Sequence, residues 1–352
     1  MSRPIQARID AAALTHNLRV LRKQSTARTL AVIKADAYGH GLLRAAAALE
    51  EAEGFGLLNI SDALRLREAG HRQTILLLEG GFDANDMALA AEHQLSCVLH
   101  SDWQLALLDA YPKRASLEVW LKINTGMNRL GFNPGDIPAV MARLRHHRAV
   151  GNVVLMTHFA NADEGGIDAP LNLFRDIAAQ YRLQCSLANS AALLRYPQTH
   201  GEWARPGLAL YGASPFAETS AAALGLKPVM TLCSRVIAVR ELRAGDEVGY
   251  GATFRAEESM RVGIVACGYA DGYPRHAGTG TPVLVDSQRT RTLGRVSMDM
   301  LCVDLGALSG VGVGSEVVLW GDGLPVDEVA RAAGTISYEL MCALTARVPV
   351  LG

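Results

Sequence analysis

Between residues 30 and 212 the sequence carries eight short apolar runs, separated by stretches patterned as helices. The runs are LAVIKA (30–35), GFGLLN (54–59), TILLLEG (74–80), LSCVLH (95–100), VWLKINT (119–125), VVLMTHF (153–159), CSLANS (185–190) and GLALYG (207–212). Read as strands alternating with helices, they fit an α/β fold of one kind, a closed (β/α)8 TIM-type barrel. Such a barrel carries its functional groups at the carboxyl ends of its strands. An open doubly wound sheet is the rival arrangement, but no G-x-G-x-x-G follows the first run to support it. Among the helical stretches, AAALTHNLRVLRK sets Leu14, Leu18 and Leu21 at helical spacing. SDALRLREAG is expected to end at Gly70, and in SDWQLALLDAY Ser101 and Gln104 have the spacing of a capping box.

The pattern changes near Gly225-Leu226-Lys227-Pro228. Beyond it MTLCSRVIAV, RVGIVACGY, TPVLVD, RTLGRVSMDMLCVDL and SEVVLWG are short β-rich runs separated by turn residues, the signature of a mainly antiparallel β domain. The chain closes on an amphipathic helix candidate, ISYELMCALTARV. Two domains are the expectation for 352 residues, here 1–226 and 227–352, with AAALG (221–225) as the linker. With 34 Lys+Arg against 35 Asp+Glu there is no electrostatic case for nucleic acid or an anionic membrane. The opening MSRPIQARID has no apolar h-region, so no secretory leader is expected, and no run reaches the ~18 apolar residues of a membrane span. The six cysteines lie far apart without a C-x-x-C pair, and the ten histidines form no ligand pattern. The expectation is therefore no metal, no disulfide framework and a reducing cytoplasm.

Lys34 stands where the first apolar run stops, followed by a polar, glycine-rich turn with Asp36, Tyr38, Gly39, His40 and Gly41. Desolvation disfavours an ammonium, so a lysine at the end of a buried strand loses its proton at little expense. The neutral amine is a nucleophile that forms Schiff bases with aldehydes, pyridoxal 5'-phosphate (PLP) among them. Tyr38, four residues on, offers a hydroxyl to a phosphate. A lysine after a strand that simply points at water is the other reading of the same residues.

Further motifs follow in order along the whole chain: IKADAYGHG, LKINTGMNRLGF, MTHFANAD, ANSAA, RPGLALYG, GYGATF, ACGYADGYPR, RVSMDM and TISYELMCAL. Together they make the chain resemble the bacterial alanine racemases. The resemblance implies a PLP enzyme that interconverts L- and D-alanine, built from an eight-stranded barrel and a C-terminal β domain. It also implies a homodimer, paired head to tail, whose subunits share their active sites.

By that resemblance Lys34 holds PLP and is one of two acid–base groups; the second is Tyr250, on the opposite face of the substrate's α-carbon. Two groups are needed because removing and returning a proton on one face regenerates the same enantiomer. His158 is a cofactor-binding residue and the candidate neighbour whose charge or donor would help the Tyr250 phenol act as a base, and Arg205 faces the pyridine nitrogen. A guanidinium only donates, so the ring nitrogen stays unprotonated and the ring is a weaker electron sink than it would be beside an aspartate. The phosphate falls to Tyr38, Ser190, the backbone N–H groups of Gly207 and Leu208, and Tyr338. Arg129 pairs with the substrate carboxylate, and Met298 adds a main-chain contact. Lys122 matches a position that some family members carbamylate, which would turn a cation into an anion able to orient Arg129. Asp299 supports the site from the other subunit, and Tyr269 narrows the substrate entrance. Two other readings stay open here. A non-catalytic PLP-binding barrel needs Lys34 but not residues 227–352 or Tyr250. A PLP-dependent amino-acid decarboxylase places a cysteine acid where GYGATF has tyrosine.

Overall fold

The computed structural model describes residues 3–111 and 116–352. The first strand, β1 (Gln6–Ile9), leads into the helix Ala11–Arg22, whose N-terminus Asp10 caps by accepting from the Ala13 N–H at 3.0 Å. That helix buries Leu14, Leu18 and Leu21, the stripe expected from their spacing. Eight parallel strands follow: β2 (Arg28–Val32), β3 (Gly54–Leu57), β4 (Thr74–Leu77), β5 (Ser96–Leu99), β6 (Leu117–Lys122), β7 (Val150–Met156), β8 (Gln184–Ser186) and β9 (Trp203–Ala204). Each pairs with the next, and β9 returns to β2 through Arg28↔Trp203 and Thr29↔Ala204, so the barrel is closed. Leu30, Leu76, Val98, Trp120, Val154, Met156 and Trp203 form one buried cluster of alternate strand residues. This is the packed interior that strand periodicity dictates. β3 meets it with glycine: a Cβ on Gly54 would come within 2.7 Å of Leu30 Cδ1.

The eighth strand is not where the sequence pattern puts it. GLALYG (207–212) is apolar because it is buried as a 3-10 turn, Leu208–Tyr211, roofed by the first helix, where Asn17 donates to the Leu210 carbonyl at 2.9 Å. The barrel closes instead through the two-residue strand β9, and Arg205 leaves that strand rather than entering it. The first barrel strand likewise stops at Val32, short of the expected Ala35. Of the two helix-end expectations, the stop at Gly70 holds and the capping box at Ser101 does not. SDALRLREAG forms Ile60–Glu68, with Gly70 beyond it at φ 92°. SDWQLALLDAY forms Asp102–Ala110, but Ser101 makes no side-chain cap. Gln104 bridges two strand ends instead, accepting from the His100 N–H at 2.9 Å and donating to the Glu79 carbonyl at 2.7 Å.

The second half forms β10 (Met230–Leu242), the hairpin β11 (Glu247–Val248) and β12 (Phe254–Arg255), then β13 (Met260–Val265), β14 (Pro282–Val285), β15 (Gln288–Leu293), β16 (Leu301–Asp304), β17 (Glu316–Trp320) and β18 (Val350–Leu351). β10 is long enough to pair with β17 along one half and β13 along the other, with register shifts between. The antiparallel circuit β10–β13–β16–β15–β14–β17 therefore returns to its start. β1 joins the same sheet, antiparallel to β10 and parallel to β18. The division expected at residue 226 is thus crossed by residues 6–9, which sequence distance alone would assign to the barrel. Among the described residues no helix is long and apolar enough to cross a membrane, and no group of three or more His, Cys, Asp or Glu is placed to hold a metal ion.

Candidate active site

A cavity of about 780 Å³ opens at the carboxyl ends of the barrel strands. Lys34 and Tyr38 after β2, Lys122 at the end of β6, His158 after β7, Ser190 after β8, and Arg205, Gly207 and Leu208 after β9 all line it, with Arg129 and Tyr338. Ten of the residues named from sequence therefore converge on one site.

Lys34 opens a turn of unusual hand. Ala35, Asp36, Ala37 and Tyr38 lie at φ between 51° and 54°, four consecutive left-handed residues without a glycine. Each costs an L-residue roughly 1–2 kcal/mol, so the turn must be over-determined by its surroundings. The Ala37 N–H donates to the Ile33 carbonyl at 3.0 Å, and Asp36 Oδ1 accepts from the Leu42 N–H at 2.8 Å. Gly39 follows at φ 79°; a Cβ there would sit 2.4 Å from the Met341 carbonyl oxygen, so only glycine lets the C-terminal helix Ser337–Cys342 approach.

That approach brings Tyr338 to the site. The Tyr38 ring stacks on Tyr211 with centroids 4.5 Å apart and lies 5.8 Å from the ring of Tyr338. Burial pushes both phenols up, Tyr338 to about 12, so both are neutral hydroxyls that can donate to an anion. The Tyr38 hydroxyl rests against Gly207, where a Cβ would be 2.6 Å from it. Ser190 Oγ accepts from the Gly207 N–H at 2.9 Å and opens the helix Ser190–Arg195, which Asn189 caps. Hydroxyls, a helix N-terminus and a side-chain-free backbone after the seventh and eighth barrel strands form the cup in which this fold binds phosphate.

The rest of the cavity is strongly cationic. Arg205, 4% exposed, donates to Ser186 Oγ and the Thr157 carbonyl, both at 2.6 Å, and to the Leu187 carbonyl at 3.4 Å. Those contacts use three of the five N–H groups of a guanidinium. Burial lowers its pKa to about 10, which leaves it protonated at neutral pH. Lys122, 7% exposed, is lowered to about 8, first by burial and then by Arg205 and Arg129, against a partial offset from Glu79. His158 is held neutral: burial first, then Arg205, Lys122, Arg129 and Lys34, lower it to about 3. Arg129 rides an exposed loop that Asn124 ties, its Oδ1 accepting from the N–H groups of Gly126 and Asn128.

Four residues named from sequence lie elsewhere in the subunit. Tyr250, 72% exposed, sits on a turn after β11, and Tyr269, Met298 and Asp299 occupy loops of the second sheet. None lines the cavity. The last three form one surface, since the Tyr269 N–H donates to the Ser297 carbonyl at 3.1 Å and the Ala270 N–H to the Met298 carbonyl at 3.0 Å. Conversely, the cavity includes Glu79, Phe82, His100 and Trp103, which the sequence reading passed over. Glu79 and His100 carry the signal that singles out Lys34, a polar residue closing an apolar run.

PLP suits these groups. Its phosphate matches the cup at Tyr38, Ser190 and Gly207, its aldehyde needs a lysine amine, and its ring nitrogen can meet a buried donor such as Arg205. A lysine at a barrel-strand end, this cup and a separate β unit define the class of barrel-type PLP enzymes.

Comparison narrows the class. The family described as Alanine racemase, N-terminal domain, matches residues 9–215, and Alanine racemase, C-terminal domain, matches 229–351. The chain is 59% identical over 353 residues to the alanine racemase of Nitrosospira multiformis and 54% identical over 356 residues to that of Nitrosomonas eutropha. Each match covers 99% of both sequences. The crystal structure of the biosynthetic alanine racemase from Pseudomonas aeruginosa matches with a TM-score of 0.97 at 46% identity, covering 99% of both chains. The alanine racemase of Acinetobacter baumannii matches with a TM-score of 0.95 at 38% identity, again over 99% of each. The chain belongs to the alanine racemase family, whose members depend on PLP.

Proposed function

We propose that this protein interconverts L-alanine and D-alanine with PLP as its cofactor. The observation that carries the reading is the convergence of Lys34, Arg205 and the Tyr38–Ser190–Gly207 cup on one cavity in a chain of this family. Bound PLP supplies an aldehyde and an electron-withdrawing ring that acidifies the substrate's α-hydrogen.

The protein supplies the rest. Lys34 holds the cofactor and moves a proton on one face of the α-carbon. Tyr250 of the partner subunit serves the other face, in a head-to-tail homodimer. That reading is supported by Tyr250 being exposed in its own subunit, outside the cavity. Tyr269, Met298 and Asp299 arrive with it, Tyr269 narrowing the entrance and Met298 meeting the carboxylate through its main chain. Tyr38, Ser190, Gly207, Leu208 and Tyr338 hold the phosphate. Arg205 donates toward the ring nitrogen and keeps it unprotonated, and neutral His158 packs beside the cofactor. Arg129 pairs with the substrate carboxylate. The barrel within residues 1–226, joined by Tyr338 from the C-terminal helix, binds the cofactor, and the loops of 227–352 that carry Tyr250, Tyr269 and Met298 complete the partner's site. A cytoplasmic location fits six cysteines without a disulfide pattern.

The lowered pKa of Lys122 favours the neutral amine, the form that takes up carbon dioxide. A carbamate there would supply a negative charge within reach of the fields of Arg129 and Arg205, and 13C-bicarbonate should give a carbamate carbon signal that Lys122→Ala abolishes. A signal that persists in the variant would assign it elsewhere. The deciding experiment for the function is conversion of L-alanine by the PLP-loaded protein, with the product resolved by chiral chromatography. D-alanine is expected. Pyruvate or ethylamine without D-alanine would overturn the reading, ethylamine in favour of decarboxylation, and no turnover would favour a cofactor carrier.

A further inference from the structure

The left-handed turn that carries Lys34 is gripped from behind by a residue outside the cavity. His40 is fully buried, and its Nδ1 lies 2.9 Å from both the Ala37 and the Tyr38 carbonyl oxygens. Carbonyl oxygens only accept, so Nδ1 carries the proton and donates to both. Nε2 is then a bare acceptor, buried and without a partner among the described residues. An apolar side chain at this position would not bear that loss, so the histidine is explained by what Nδ1 does. Its ring also packs on Tyr211 at 4.6 Å, and Tyr211 stacks on Tyr38 and donates its hydroxyl to the Val32 carbonyl at 3.0 Å. One ring stack therefore joins the end of β2, the strained turn and the Tyr38 ring.

We propose that His40, as the neutral Nδ1–H tautomer, is a positioning residue for the cofactor site. It clamps the carbonyls of Ala37 and Tyr38 and so fixes the turn that aims Lys34 and the Tyr38 hydroxyl into one cavity. Its neutrality is supported by burial, which lowers it to about 4, with Arg44 acting in the same direction and the two carbonyls opposing. The inference rests on reading Lys34 and Tyr38 as the groups that hold PLP.

Two measurements test it. In the PLP-free protein, 15N-histidine NMR should show one side chain with Nδ1 protonated and Nε2 bare, the tautomer a free histidine side chain disfavours, and His40→Asn should remove that signal. An Nε2–H tautomer or an imidazolium at neutral pH would overturn the proposal. The second measurement is PLP affinity of the apoprotein by fluorescence titration, beside its melting temperature. Asparagine places an N–H near the Nδ1 position, glutamine places it near Nε2, and leucine places none. His40→Asn should stay within about threefold of the parent, whereas His40→Gln and His40→Leu should weaken PLP by about tenfold or more, roughly 1.4 kcal/mol. If asparagine gives no rescue, or affinity falls only in step with melting temperature, His40 is ordinary core and the proposal fails. Borohydride reduction of the parent with PLP, followed by peptide mapping, separates the two layers. Label away from Lys34 would sink the cofactor reading, and with it the proposal. Label on Lys34 with undiminished affinity in His40→Leu would sink the clamp alone.

Discussion

The role proposed for Arg205 rests on two properties that act together, since it is buried and yet stays a donor. Burial would favour giving up its proton, but a guanidinium starts so high that about 10 still leaves it charged. Toward a ring nitrogen it presents hydrogen and never accepts it. Arg205→Glu reverses that polarity and lets the nitrogen protonate, so electron withdrawal strengthens and the substrate-derived carbanion lives longer. The variant should lose racemase rate by tenfold or more, about 1.4 kcal/mol in barrier, and gain long-wavelength absorbance when substrate is added. An unchanged spectrum with intact PLP binding would show that Arg205 does not face the ring. At this scale the sequence was readable where a motif surrounds the residue, as for Lys34, Ser190 and Arg205. Phe82 and Trp103 were not, because an aromatic side chain in a helical or loop stretch gives no hint that it lines a cavity.

Elements decide which faces the residues present. Asp271 is fully buried, accepts from Arg3 at 2.7 Å and from the Gly268 N–H at 2.9 Å, and forms an ion pair with Arg347 Nε at 3.0 Å. Arg347 reaches on to Asp299, and Arg3 donates to the Asp299 carbonyl at 2.7 Å. These bonds tie the loops of Tyr269 and Met298 to the two ends of the chain. Breaking a buried ion pair costs about 3–5 kcal/mol; here both arginines are part-exposed and can rehydrate, so Asp271→Ala should lose nearer 2–3 kcal/mol in denaturant unfolding. It should also lower activity while PLP affinity holds, because these loops lie outside the cavity. An unfolding free energy within about 0.5 kcal/mol of the parent would show that the carboxylate anchors nothing. The elements also show why one strand was misplaced. Apolar content reports burial, and both a strand and a roofed 3-10 turn are buried, so GLALYG read as the eighth strand while β9 is too short to leave a pattern.

Assembly is the largest scale, and the proposed shared site makes a sharp demand on it. Lys34→Ala and Tyr250→Phe dimers should each be nearly inactive. After subunit exchange, a mixed dimer holds one doubly defective site and one intact site, so activity should return toward about a quarter of the parent for random pairing of independent sites. A tagged subunit verifies exchange. With exchange shown and no activity regained, Tyr250 serves its own subunit or none. The sequence by itself determined the barrel, the following β unit, the family and most of the cavity's polar residues, because strand burial and motif order are local properties that survive in one dimension. The tertiary structure alone decided that β1 joins the far sheet, that β9 rather than GLALYG closes the barrel, that four left-handed residues aim Lys34, and that His40 stands behind them. Each of these depends on contacts between residues distant in the chain, or on a backbone conformation that the residues themselves disfavour. Neither leaves a trace in local composition.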